Sequence, residues 1–150
     1  NKPPGAPDGL TTGQVAQFVA TAGFEVSSAT SFVVASFLPG GAVLDPSGGA
    51  GQEKGDPSMT LVVPVERFRG RHLVAVPAFD IGYLDVVQPS AAIVKVDGSP
   101  VSATSIPGTT FSIARVPAKA GVHAVVADQP VTVSFVGFAP YASVHYPGGL

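Results

Sequence analysis

The sequence predicts an all-β fold, an antiparallel β-sandwich or barrel of roughly ten short strands with little or no helix. Two observations lead to this prediction. Short apolar runs with many β-branched residues recur along the chain, and its 18 glycines and 15 prolines fall between those runs rather than in one tract. No stretch keeps the 3.6-residue apolar period of an amphipathic helix.

Eleven apolar runs have the length and composition of a β-strand. They lie at residues 14–20, 24–28, 31–37, 59–65, 71–77, 83–88, 92–96, 110–116, 121–127, 131–138 and 142–146. Alternation of apolar and polar residues at 110–116 and 131–135 predicts strands with one solvated face. The stretches SFVVASF (31–37) and HLVAVPAF (72–79) do not alternate, so we expect central strands buried on both faces, or strands whose outer face meets a partner.

Local turn chemistry predicts how some runs are connected. Asp97 and Gly98 stand between two apolar segments and predict a β-hairpin, because both residue types tolerate positive φ. The stretch GDPSM at residues 55–59 predicts a turn before a strand, with Met59 entering the core. Residues 38–57 are the longest segment rich in glycine and proline, and we expect an exposed, mobile loop there.

The length of the chain predicts one domain. Residues 1–10 contain three prolines and are expected to be a linker or lead-in, whereas residues 11–150 form a single β-rich domain. A chain of 150 residues can bury a core without disulfides, and this one has no cysteine. It begins with Asn rather than Met, so we expect a piece of a longer protein whose other domains are among its partners.

Charge is scarce in this sequence. Charged residues make up 12% of the chain, about half the roughly 25% of ordinary globular domains, and the net charge is −2. We therefore expect no nucleic-acid partner, and we expect a homo-oligomer or contacts with neighbouring domains to cover apolar surface. No apolar run is long enough for a membrane-spanning helix.

Motifs for catalysis and metal binding are missing from the sequence. The three histidines, His72, His123 and His145, lie in separate predicted strands without the spacing of a zinc site. No G-x-S-x-G nucleophile motif or phosphate-binding loop occurs. Scattered carboxylates leave glycoside hydrolysis as a remote alternative, because any ten acids offer such pairs. We expect no enzyme, no cofactor and no metal.

Two groups of residues are candidates for ligand binding. The first group is Arg67, Arg69 and Arg71, which occupy alternate positions next to Phe68 and would line one face if a strand continued through Gly70. Arginines on one face could bind an acidic glycan or a partner carboxylate bidentately. The alternative is a solvated turn.

The second group lies near the end of the sequence and contains aromatic and planar polar side chains, which stack on sugars and anchor interfaces. Its members are Tyr141, His145 and Tyr146. The alternative for this group is cross-strand packing at the edge of the domain.

Several phrases, in order, resemble the IgGFc-binding domain family, which is named for a mucosal mucin-like protein and also occurs in bacterial secreted and surface proteins. They are LTTGQVAQF (10–18), SFVVASFLPG (31–40), GDPSMTLVVPVERFR (55–69), VKVDGSPV (94–101), VPAKAGVHAV (116–125) and VGFAPYASVHYPGGL (136–150). The likeness matches the later portion of the family domain. It implies a β-rich extracellular module for binding and adhesion without a known catalytic centre. It assigns no functional residue to this chain and does not imply that the chain binds IgG.

From residues and resemblance together we expect a secreted or surface-displayed bacterial recognition module that binds a glycan or glycoprotein. The alternative is a structural subunit of a surface fibre or stalk, whose apolar faces drive assembly.

Overall fold

The computed structural model describes residues 2–49 and 52–149 and confirms an antiparallel, nearly all-β fold. Ten strands occur among these residues, and helix is restricted to one α-helical turn and one 3-10 turn. The elements in chain order are β1 (Ala35–Leu38), α1 (Gly41–Leu44), β2 (Ser58–Leu61), a 3-10 turn (Val65–Arg67), β3 (Arg69–Val76), β4 (Ile81–Pro89), β5 (Val94–Val96), β6 (Ser99–Pro100), β7 (Thr104–Ser105), β8 (Phe111–Pro117), β9 (Gly121–Ala139) and β10 (Ala142–Pro147).

The long strand β9 organises a curled sheet of eight strands. Its N-terminal part pairs with β3 and β5, and β5 pairs with β6; we call these strands the small half-sheet. Its C-terminal part pairs with β10 and β4, and the order continues through β8 to β7; we call these strands the large half-sheet. The remaining strands, β1 and β2, form a separate two-stranded ribbon.

The prediction of two strands at 121–127 and 131–138 is wrong, because β9 runs through both segments. At the junction the pairing with β3 jumps, so that Arg69 faces Val131 but Arg71 faces Val126. Pro130 lies at this jump and has no N–H to donate to a ladder. A register irregularity of this kind bends a strand and increases its twist, which lets β9 pass from one half-sheet to the other.

The core is built from alternate residues of the strands in both half-sheets. Its buried members are Val74, Val76, Leu84, Val86, Val94, Val96, Ala114, Val125, Val131, Val133 and Phe135. Full burial of one Val, Leu or Phe side chain contributes about 1.5–3 kcal/mol relative to exposure. Strand β3 alternates between buried and exposed residues, and Leu73 is 67% exposed, so the expectation that 72–79 is buried on both faces is wrong. The alternative, that the outer face of this strand meets a partner, stays a prediction.

An aromatic cluster fills the core where β4 and β9 pair through two glycines. Gly82 lies opposite Gly137, and the Phe135 ring lies so close that a Cβ on either glycine would be within 3.0 Å of it. Phe79 and Tyr146 flank Phe135, with ring centroids 6.2 Å and 5.4 Å away. The glycines therefore make room for the largest buried side chain of the core.

The predicted hairpin is present. Strands β5 and β6 pair across Asp97 and Gly98, whose φ angles are 50° and 81°. Positive φ at both central residues is the requirement of a type I′ turn, which matches the twist of the two strands.

The GDPSM turn docks onto the β9–β10 connection instead of directing Met59 into the core. The N–H of Gly55 donates to Ala139 O (3.1 Å), and Ser143 Oγ bonds to the backbone of Asp56. Met59 itself is 57% exposed, so its predicted burial is wrong. The expected loop at 38–57 includes α1 and a buried Gly55, and is thus exposed only in part.

The predicted strands at 14–20 and 24–28 are absent, because residues 2–33 contain no strand. Phe18 and Phe24 contact one another with ring centroids 5.6 Å apart, while Val15 and Val19 are 92% and 78% exposed. A strand forms only where a partner strand satisfies its backbone, and none pairs with this segment.

Candidate functional site

The three predicted arginines lie at the start of β3. Arg67 ends the 3-10 turn, and Arg69 and Arg71 are exposed residues on the strand. The strand continues through Gly70, so alternation gives Arg69 and Arg71 the same exposed side, whereas Arg67 precedes the strand. Within residues 2–49 and 52–149 none of the three forms an ion pair, and all three residues are exposed.

The predicted aromatic group does not form one site. Tyr141 lies in the turn before β10 with φ of 52° and is 62% exposed. His145 and Tyr146 are neighbours on β10, so their side chains point to opposite faces of the sheet. The Tyr146 ring packs on Phe135 inside the sheet, and its hydroxyl donates to Ala75 O on β3. Tyr146 therefore joins the two half-sheets.

The residues after Tyr146 close the open edge of β3. Gly148 N–H donates to Val133 O (2.7 Å), and a Cβ there would lie 2.7 Å from Val74 Cγ2. A Cβ on Gly149 would lie 2.5 Å from the carbonyl oxygen of Leu73. The YPGG phrase thus packs against an edge strand, and the contact leaves no room for side chains at its glycines.

The outer face of the large half-sheet, the side away from the core, carries a polar and aromatic cluster in which His145 was predicted from sequence and the other three residues were missed. We call Tyr83, Asp85, Arg115 and His145 the Arg115 cluster. Arg115 faces Asp85 directly across the β4–β8 pairing and donates two hydrogen bonds to its carboxylate, Nε to Oδ1 (2.8 Å) and Nη2 to Oδ2 (2.7 Å). The Arg115 guanidinium also lies over the Tyr83 ring, with Cζ 5.5 Å from the centroid.

Burial differs between the two partners of this ion pair. The Asp85 side chain is 13% exposed, whereas that of Arg115 is 62% exposed. The hydrogen bond to Asp85 is the largest cause of the raised pKa of Arg115. Because the guanidinium is clamped on one edge and stacked on a ring, its exposed N–H groups point outward from a fixed position.

His145 lies on the same face as Arg115, on the other side of Tyr83. Val136 pairs with both Tyr83 and His145 and separates the two in the sheet. Burial is the main cause of the lowered pKa of His145, and the charge of Asp85 opposes this shift. Its Nδ1 is buried without a hydrogen-bond partner among the described residues.

Among the open pockets on the described surface, two lie beside candidate site residues. One, of about 430 Å³, is lined by Ser102, Thr104, Ile113 and Arg115 and borders the Arg115 cluster. The other, of about 400 Å³, is lined by Arg71, His72, Leu73, Ala124, Val125, Val126 and Gly149. Neither lining contains a carboxylate, and no group of three His, Asp or Glu residues able to hold a metal ion occurs in residues 2–49 and 52–149.

The other two histidines have structural contacts. His72 is buried, and its Nε2 lies 3.0 Å from Val131 O and 3.2 Å from Arg69 O, at the junction where β9 bends. His123 bonds to Asp97 in the hairpin turn, with Nδ1 2.6 Å from Oδ2. The three histidines are therefore held in separate environments.

The spacing in sequence explains why Tyr83, Asp85 and Arg115 were missed. Each lies on the outward side of its own strand, a position that sequence alone assigns to solvent. Only the antiparallel register of β4 and β8, which no short motif encodes, places Arg115 opposite Asp85.

Comparison with known proteins gives one family match. The family model described as IgGFc binding protein matches residues 1–137, more than half of the chain. No curated protein and no solved structure matches. Among the described residues, no helix is long and apolar enough to cross a membrane.

Proposed function

Because the chain belongs to the IgGFc-binding family, we propose that it is a non-enzymatic, secreted or cell-surface recognition module whose partner is a glycoprotein. The family is one of extracellular binding modules and is not a known enzyme family. Residues 11–150 are the binding domain, residues 1–10 lead into it, and other domains of a longer parent protein would present it to its partner.

The observation that carries the proposal is the fixed and exposed guanidinium of Arg115. Its bidentate bond to Asp85 and its contact with Tyr83 hold the side chain in one position before any partner arrives. A binding group that is already ordered costs less entropy on association than a free arginine. Arginine with a neighbouring tyrosine is also the residue combination in which interface binding energy concentrates.

The surroundings of Arg115 suit a glycoprotein surface. The adjacent pocket offers the side chains of Ser102 and Thr104 beside Ile113. Hydroxyl groups and guanidinium N–H groups pair with the hydroxyl, carboxylate and carbonyl oxygens of glycans and peptides. The pocket is open rather than enclosed, which favours a broad surface partner over a buried small molecule.

A second candidate function is a structural subunit of a fibre or stalk. It is supported by the apolar side chains that stay on the surface, including strand residues such as Leu73, Val122 and Met59, each more than half exposed. Under this alternative, self-association is the function and Arg115 has no partner to recognise.

The test is binding of the purified chain to a glycan array and to a panel of immobilised mucosal and serum glycoproteins, each with and without enzymatic deglycosylation. We expect selective binding that Arg115→Gln weakens at least about tenfold, as loss of an interface hot spot does. Lys95→Gln is the matched control, because it removes one positive charge at an exposed position outside the cluster and outside the three predicted arginines. Arg69→Gln and Tyr141→Ala test the two sites predicted from sequence.

The results of these binding measurements distinguish the recognition module from the structural subunit. Equal binding by wild type and Arg115→Gln, or a loss confined to Arg69→Gln or Tyr141→Ala, contradicts the proposed site. Absence of binding to every glycoprotein by a folded, self-associating chain favours the structural subunit.

A further inference from the structure

The ribbon of β1 and β2 has an apolar outward side, whereas the solvated side of an ordinary surface strand pair is polar. Four side chains of the two strands form the outward side: Ala35, Phe37, Met59 and Leu61. Phe37 faces Met59 and Ala35 faces Leu61 in the antiparallel register. Phe37, Met59 and Leu61 are 62%, 57% and 57% exposed. We call this side, extended by Val33, the ribbon face.

The inward side of the ribbon is already in use. Ser36, Leu38, Ser58 and Thr60 are half-buried on that side. Next to it, Ser143 of β10 bonds to the backbone of Asp56, and this attaches the ribbon to the rest of the molecule. The ribbon therefore cannot turn its apolar face inward without breaking these contacts.

We propose that the ribbon face binds the ribbon face of a second copy of this chain, forming a two-fold symmetric dimer. In such a contact each residue meets the same patch of the partner, so charged residues would meet like charges. The ribbon face contains no charged residue, and it is therefore complementary to itself. A partner of opposite charge would have nothing to recognise there.

Dimerisation also covers the second side of the ribbon. The inward side already packs on β10, and packing of the hydrophobic outward side against a further layer adds to the stability of a two-stranded sheet. Two ribbons packed face to face bury Phe37 and Met59 of both copies in a small sandwich core. The exposed valine before β1, Val33 (78% exposed), extends the contact.

The area of the ribbon face sets the expected strength of the dimer contact. Five partly exposed side chains offer roughly 500 Å² per copy, or roughly 1,000 Å² in the dimer, which is the lower limit for a specific interface. We therefore expect a weak, concentration-dependent dimer rather than a permanent one. The ribbon face is distinct from the Arg115 cluster, so the inference does not depend on glycoprotein binding.

The test is the mass of the purified chain, measured by light scattering from about 1 µM to about 500 µM, the range in which a weak interface associates. We expect the mass of the wild type to rise from 15.0 kDa towards twice that value. Phe37→Lys should stay monomeric throughout. The matched control, Val15→Lys, adds the same charge at a 92% exposed valine outside the ribbon and should dimerise like the wild type.

Two further measurements keep the result interpretable. Circular dichroism and thermal unfolding of Phe37→Lys at low concentration, where the wild type is also monomeric, show that the variant is folded. Amide hydrogen exchange of the wild type should slow at residues 33–37 and 59–62 as the concentration rises.

The proposal is overturned if the wild type stays monomeric at the highest concentration, or if Phe37→Lys dimerises like the wild type. It is also overturned if Leu73→Lys, on the outer face of β3, abolishes the dimer while Phe37→Lys does not.

Discussion

His123 and His145 have opposite electrostatic environments. In His123 both ring nitrogens face acceptors, with Nε2 2.8 Å from Lys119 O and Nδ1 2.6 Å from Asp97 Oδ2. The bond to the Lys119 carbonyl, followed by that to Asp97, raises the pKa of His123 above its ordinary value of 6.5. Burial lowers the pKa of His145 below the same value. The protonated form is stabilised at His123 and the neutral form at His145.

The two histidines should therefore give opposite pH dependence of folding stability. The stabilisation from His123 is complete below its unfolded pKa and is lost as pH rises through its higher folded pKa. The destabilisation from His145 appears as pH falls below its unfolded pKa, because the unfolded state then binds the proton more tightly.

Denaturant unfolding between about pH 5 and pH 9 tests this expectation. His123→Gln should remove a component that decreases with pH, and His145→Gln a component that increases with pH. Each variant is the control for the other, and parallel profiles of both variants and the wild type would contradict the assignment.

At the scale of strands and turns, features encoded within a few residues were predictable and pairings over long distances were not. The turn at Asp97 and Gly98 follows from the φ preferences of two adjacent residues and was confirmed. The runs at 14–20 and 24–28 have the composition of strands, but no partner strand meets them. Continuity of β9 depends on pairing with four other strands, and local breakers such as Pro130 obscure it in the sequence.

Gly148, in the segment after β10, provides a test of how this segment packs against the edge strand β3. Replacing Gly148 by Ala places a methyl group 2.7 Å from Val74 Cγ2 and 3.2 Å from Val133 Cβ, both in fully buried residues. Overpacking of this kind should lower the free energy of unfolding by about 1–3 kcal/mol.

Gly9→Ala, at a glycine with no atom within 4 Å of the new methyl group, is the control and should change stability by less than about 0.5 kcal/mol. Chemical denaturation of both variants measures the difference. Equal stability would mean that residues 147–149 do not pack on β3 as described.

At the scale of the whole molecule, the low charge content goes with exposed apolar side chains but does not indicate where on the surface they lie, and the expected homo-oligomer stays a prediction. A chain with 12% charged residues exposes large apolar side chains in several places, and the ribbon face is where strand geometry gathers them on one side. The Arg115 cluster lies elsewhere, on the outer face of the large half-sheet. The sequence alone could not show that these residues form a cluster, because Asp85 and Arg115 are brought together only by the register of two strands.

The proposed recognition surface for a glycoprotein is the outer face of the large half-sheet. The most direct measurement is amide hydrogen exchange of the chain with and without a bound glycoprotein identified from the panel. We predict slower exchange on binding at residues 83–87, 113–117 and 143–146, with residues 67–71 unchanged. Protection confined to 67–71 or to the turn at Tyr141, with the large half-sheet unaffected, would contradict the account.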